Sequence, residues 1–180
     1  MHLTMVRETV AIGNGALRMQ TDVAATRTLV LGLGNTLRSD DGVGVHVVQA
    51  LTELETGRHV TLRDGGTIGL ALLSDIEESA ALIAIDAAEL GAEPGTVRVF
   101  SGSDMDNQLH GKKRTAHEVA LADLIAAARL SGRKPLRCAL VAIQPGSTEW
   151  GLTPTEPIRS AIPAACSAVL SLVEDWNDES

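Results

Sequence analysis

Aromatic residues are nearly absent. The 180-residue chain holds one Phe, two Trp and no Tyr, together 2% of the sequence. That is too few for the stacked platforms on which single-stranded nucleic acid is read. Basic residues are scarce as well. Lys plus Arg number 15 against 23 Asp plus Glu, giving a net charge of -8 with His neutral. A general nucleic-acid binder needs the opposite sign, and the one basic run, Lys112-Lys113-Arg114, is short. Cysteine is limited to Cys138 and Cys166, with no CxxC, no zinc-type spacing and no disulfide framework. Both stand in apolar or Ala-rich stretches and read as core residues in a reducing cytosol. No apolar run reaches the roughly 18 residues of a membrane span. Met1 to Leu17 mixes His2, Arg7 and Glu8 with apolar residues, so it lacks the continuous apolar region of a signal peptide. The expected location is the cytoplasm, with no nucleic-acid partner and no membrane insertion.

What is present is a strong apolar pattern. Apolar residues make up 44% of the chain, which excludes wholesale disorder, and the length fits one domain able to bury its own core. Apolar runs at 27–34, 59–62, 81–85, 95–100 and 136–143 read as strands, the first ending in the glycines Gly32 and Gly34. Between them lie helical spacings: from Asp40 or Asp41 toward Gly57, a short one through Leu70, Leu72 and Leu73, then 118–130, and finally 158–173. Strands alternating with helices give βαβ units. The expected fold is α/β with three layers: a mostly parallel central sheet of about five strands with helices on both faces. Residues 1–26 read as a peripheral N-terminal extension, with Met5 and Met19 as alternative starts. Residues 27–173 read as a single domain and 174–180 as a solvated acidic tail. Residues 101–116 are polar without periodicity and read as a mobile surface loop.

Active sites of such sheets lie beyond the carboxyl ends of the strands, and three ionisable residues fall there. Asp41 stands in the first turn of the helix expected after the first strand, where free N–H groups favour a carboxylate. Asp86 ends the third strand, and His117 opens a helix. Two carboxylates and an imidazole are suitable ligands for a hard-to-borderline metal. Each also has a plain structural alternative: a first-turn carboxylate, a cap, an incidental surface histidine. Asp40 beside Asp41, and the strand-end turn Asp64-Gly65-Gly66-Thr67, are candidates for substrate recognition or for turn formation. The glycine loop Gly32-Leu33-Gly34-Asn35-Thr36-Leu37 departs from the dinucleotide fingerprint, because Leu37 stands where the third glycine belongs. No GxSxG elbow supplies a serine nucleophile.

The run Gly32-Leu-Gly-Asn-Thr-Leu-Arg-Ser-Asp-Asp-Gly-Val-Gly-Val45 closely resembles the opening motif of the hydrogenase maturation proteases, endopeptidases that process the large subunit of nickel–iron hydrogenases. The resemblance continues through Asp64-Gly-Gly-Thr67, Ile85-Asp-Ala87, His117, Ile143-Gln-Pro145 and Gly151-Leu-Thr-Pro154, covering roughly residues 28–173. It implies a peptidase domain whose nickel-contacting and catalytic residues fall on Asp41, Asp86 and His117. Members carry Glu or Asp at the first of these positions. It further implies that the partner is a hydrogenase large-subunit precursor and that nickel arrives with this substrate. The protease would sense that nickel and remove a short C-terminal extension, with no obligatory cofactor of its own. A non-cleaving, metal-sensing maturation adaptor would use the same three residues. A nucleotide-binding oxidoreductase is the other enzyme reading, opposed by Leu37 and by the acidic Asp40-Asp41 pair.

Overall fold

The computed structural model describes residues 27–54, 56–67, 69–111 and 115–178. The expected extension over residues 1–26 and the basic run at 112–114 lie outside them.

The middle of the sheet is made of strands that are apolar along nearly their whole length. β1 (Thr28–Leu33) and β3 (Ala81–Ala87) are buried at every position, and β5 (Arg137–Ile143) at all but the first. A strand covered by helices on both faces has no solvent side, so it reads as a continuous apolar run rather than an alternation. β2 (Val60–Gly66) and β4 (Val97–Ser101) are only partly buried, and they form the two edges. The strand order is β2-β1-β3-β5-β4. β1 pairs in parallel with β2 and β3, and β3 with β5, while β4 runs antiparallel to β5.

Alternating side chains feed the two sides of the sheet. Leu29, Leu31 and Leu33 pack with α2 (Leu72–Glu77), α3 (Ser103–Leu109) and α4 (Ala116–Leu130). Val30, Ile83 and Ile85 pack on the other side with α1 (Val43–Thr52) and α5 (Glu156–Asp178). The expected three-layer α/β architecture is therefore present. Cys138 belongs to the first cluster and Cys166 to the second, and burial pushes both thiols up.

The order of the strands fixes where a ligand fits. The chain leaves β1 through α1 to reach β2 on one side, then crosses through α2 to β3 on the other. The two connections lie on opposite faces of the sheet, so a crevice opens between the carboxyl ends of β1 and β3. Asp41 follows β1 and Asp86 lies on β3.

Three boundaries differ from the sequence reading. Residues 101–116 are not a structureless loop: α3 occupies 103–109 and buries Met105 and Leu109, one helical turn apart. The last helix starts at Glu156 and runs on through Asp178, so most of the expected acidic tail is helical. Asp40 and Asp41 do not open α1 directly; they sit in a 3-10 turn, Ser39–Gly42, ahead of it. Among the described residues, no helix is long and apolar enough to cross a membrane.

Candidate active site

The opening glycines let three backbones meet. A Cβ on Gly44 would lie 2.1 Å from the carbonyl oxygen of Ile85, and one on Gly32 would lie 2.3 Å from that of Gly44. Helix α1 thus rests directly on β1 and β3, one residue from Asp86. Gly34 has φ +124, and a Cβ there would lie 1.8 Å from the Asp41 carbonyl oxygen. The loop is therefore filled by its own chain and closes around Asp41. These glycines serve close packing, which is the turn reading of the motif rather than the dinucleotide one.

Two of the three expected residues touch. His117 Nε2 lies 3.2 Å from Asp41 Oδ2. The same oxygen accepts the Asn35 N–H at 3.2 Å. An ionised carboxylate only accepts, so the imidazole proton of this pair sits on Nε2. Burial alone raises the Asp41 pKa. The His117 hydrogen bond and charge, the Asn35 N–H and the Arg38 guanidinium outweigh it and hold the carboxyl below its ordinary range. The Asp41 hydrogen bond in turn raises His117, against the opposing effect of burial and with help from the charges of Asp86 and Asp41.

Asp86 is fully buried beside this pair. Burial is the main cause that pushes its pKa up to about 8; the charge of His117 opposes it, while those of Glu118 and Asp41 add to it. Its Oδ2 lies 3.4 Å from the Thr115 hydroxyl, and its Oδ1 has no hydrogen-bond partner. A buried, unpartnered carboxylate oxygen is expensive and uncommon in a resting fold. Burial therefore keeps Asp86 as the neutral acid near neutral pH. Among the described residues, no group of three or more His, Cys, Asp and Glu side chains is already gathered as a metal site. The chain thus brings together the Asp41–His117 pair and places Asp86 within its electrostatic reach.

The helix that carries His117 is set by a capping box. The Thr115 hydroxyl accepts the Glu118 N–H at 3.0 Å, and Glu118 Oε2 accepts the Thr115 N–H at 2.7 Å. Helix α4 therefore starts at Ala116, and His117 lies in its first turn. Thr-Ala-His-Glu is the T-x-x-E signature of such a start, a signal that places Thr115 and Glu118 in the site's support but that apolar periodicity alone passes over.

Asp40 faces away from this pocket. Its side chain is buried and accepts four hydrogen bonds: from the N–H groups of Gly146 (2.8 Å), Ser147 (2.8 Å) and Thr155 (2.6 Å), and from the Thr155 hydroxyl (2.9 Å). Burial raises its pKa, but these donors outweigh burial and hold it low. Of its two expected roles, the structure shows the one in turn formation. Asp64 accepts the Gly66 N–H at 2.9 Å, and the Gly66 carbonyl accepts the Gly34 N–H at 2.8 Å. The Asp64-Gly65-Gly66-Thr67 turn is thereby joined to the opening loop, with Asp64 and Thr67 exposed. Gln144 is a support that residue type alone did not mark: its Oε1 accepts the Leu90 N–H at 2.7 Å and ties down the segment after β3.

The family model for hydrogenase maturation proteases matches residues 45–172. The chain belongs to the hydrogenase maturation protease family. Among curated relatives of this maturation protease, the hydrogenase expression/formation protein HupD of Rhizobium leguminosarum bv. viciae is 38% identical over 154 residues, covering 84% of this chain and 76% of the relative. The hydrogenase 2 maturation protease of Escherichia coli K12 is 35% identical over 153 residues, covering 83% of this chain and 92% of its own length. A solved structure of the hydrogenase maturating endopeptidase HybD from E. coli superposes with a TM-score of 0.76 at 33% identity, over 83% of this chain and 93% of that one.

Proposed function

We propose that this maturation protease is an endopeptidase that removes a C-terminal extension from the nickel-loaded large-subunit precursor of a nickel–iron hydrogenase, and that it uses the substrate's nickel to recognise that precursor. One observation carries the reading beyond family membership: the Asp41–His117 pair stands beside the unpartnered Oδ1 of buried Asp86 at the crevice between β1 and β3.

Oxygen donors and an imidazole suit nickel, a borderline cation. A cation delivered by the substrate supplies Lewis acidity to a carbonyl or a water near it. The protein's own part is positioning and proton management. Asp86 offers a lone oxygen whose burial is relieved by a positive charge. Asp41 is held ionised, and of the two carboxylates it is the one free to accept a proton near neutral pH as general base. His117 holds a proton on Nε2 against Asp41 and is the group that can pass it on. Both buried thiols are shifted upward by burial, so neither is primed as a nucleophile.

The test is the intact mass of a purified cognate precursor after incubation with the protein, with nickel loaded or withheld. A defined loss of the C-terminal extension in the nickel-loaded sample alone is the expected result. Stable binding without any loss of mass assigns the chain to the adaptor role. Cleavage regardless of nickel removes the metal from recognition.

A further inference from the structure

The inference here rests on the endopeptidase reading and asks what holds the substrate chain beside the site. Asp40 joins the opening loop to the segment between β5 and α5. Around its four hydrogen bonds the two segments are zipped: the Ser39 N–H donates to the Gly151 carbonyl at 2.8 Å, and the Gly151 N–H to the Leu37 carbonyl at 3.0 Å. These bonds form a one-residue parallel bridge, Arg38 to Gly151. The Ser39 hydroxyl adds a bond to the Thr153 carbonyl at 3.1 Å, and the Arg38 guanidinium one to the Thr148 carbonyl at 3.0 Å. Ser39 has φ 46, a left-handed conformation for a non-glycine residue. Such strain persists only where neighbours over-determine it, and here the 147–153 backbone does so.

This rigid bridge leaves three large apolar side chains in solvent. Leu37 is 49% exposed, Trp150 82% and Leu152 75%. They flank a single bridge, and Leu37 belongs to the loop that encloses Asp41: its N–H bonds Asn35 Oδ1, and the Asn35 N–H bonds Asp41 Oδ2. Three exposed apolar side chains at one bridge, one of them on the loop around Asp41, are more than singly scattered surface residues.

We infer that Leu37, Trp150 and Leu152 are specificity-determining residues for the processing reaction, receiving an apolar side chain of the precursor next to the scissile bond, and that Asp40 is the positioning residue that holds them there. Three side chains cannot bury the ~1,200 Å² or more of a stable dimer, so a second copy of this chain is the poorer occupant. A peptide segment that must run past Asp41 fits both the size and the place.

The test uses steady-state processing of the nickel-loaded precursor. Trp150→Ala with Leu152→Ala removes the two most exposed side chains of this patch without touching the core. The double variant is expected to raise KM about tenfold or more with kcat within about twofold, the signature of lost binding common to ground and transition states. Trp150→Phe alone is expected to stay near wild type. Asp40→Asn is expected to raise KM in the same direction. An unchanged KM in the double variant overturns the inference while leaving the endopeptidase reading intact. So does a loss confined to kcat, or a loss of self-association with KM unchanged, which would assign the patch to a second copy. Failure of the wild type to cleave the nickel-loaded precursor overturns the endopeptidase reading, and the inference with it.

Discussion

Asp86 and Asp40 are both buried aspartates, and their surroundings drive them in opposite directions. Asp40 has four donors and stays ionised. Asp86 has a weak contact to the Thr115 hydroxyl at 3.4 Å, a small lowering effect from the Ala87 N–H, and an Oδ1 without a partner. A fully buried carboxyl with so few donors disfavours its charged form. Asp86→Asn copies the charge and nearly the shape of the neutral acid, at the cost of one further N–H donor in the buried site. The variant is expected to be more stable than wild type near neutral pH, by about 1–4 kcal/mol, because it no longer has to bind a proton on folding, while losing precursor processing. Chemical denaturation at pH 7 checks the first half and intact mass the second. A variant both destabilised and active would remove Asp86 from the site. The three residue types were legible in the sequence, because each stands where a strand ends or a helix begins. Their pairing was not. Nothing in the spacing tells that His117 meets Asp41 rather than Asp86, or that Asp40 turns inward while its neighbour faces the crevice.

At the scale of the element, the sequence betrays strands more fully than short helices. β1, β3 and β5 are continuous apolar runs, and buried parallel strands permit little else. Helix α3 leaves little trace in the sequence because two anchors, Met105 and Leu109, suffice to seat it, and a span of seven residues gives periodicity too little room. The start of α4 was marked by chemistry instead of pattern, in Thr115 and Glu118. This element offers a clean experiment. Thr115→Ala removes the side-chain acceptor of the capping box and is expected to cost about 1 kcal/mol. It also loosens the first turn that carries His117, so processing should fall along with stability. Thr115→Ser keeps the hydroxyl and should restore both. On the opposite face, Gly44→Ala drives a methyl against the Ile85 carbonyl at 2.1 Å. Backbone cannot retreat there without lifting α1 off the sheet, so a loss of about 1–3 kcal/mol or more is expected in thermal or denaturant unfolding.

For the whole molecule, these local shifts combine into one stability profile. Asp40 and Asp41 have folded-state pKa values below the ordinary range. Their contribution is fully present above the unfolded carboxylate value and is lost as pH falls through the folded values. Asp86 has the reverse sign. Its folded pKa is about 8, so the folded state binds a proton that the unfolded chain has already released above pH ~4. That term erodes stability as pH climbs from about 4 to 8. His117 is raised as well; its contribution is present below the unfolded imidazole value and is lost as pH rises through the folded one. Two terms therefore fall on the acid side and two on the alkaline side. The midpoint of denaturation is expected to be highest in mildly acidic solution and to decline toward pH 8 without any loss of structure elsewhere. Denaturation curves of wild type and Asp86→Asn taken between pH 4 and 9 separate the contributions. The variant should show a shallower alkaline decline, retaining only the part of the His117 contribution that Asp41 supplies, while its acid limb stays unchanged. Identical alkaline slopes in the two proteins would mean that Asp86 is ionised in the folded state and finds its counter-charge within the protein. The arrangement would then be a finished ion-pair cluster, with no oxygen left waiting for a cation brought by the substrate.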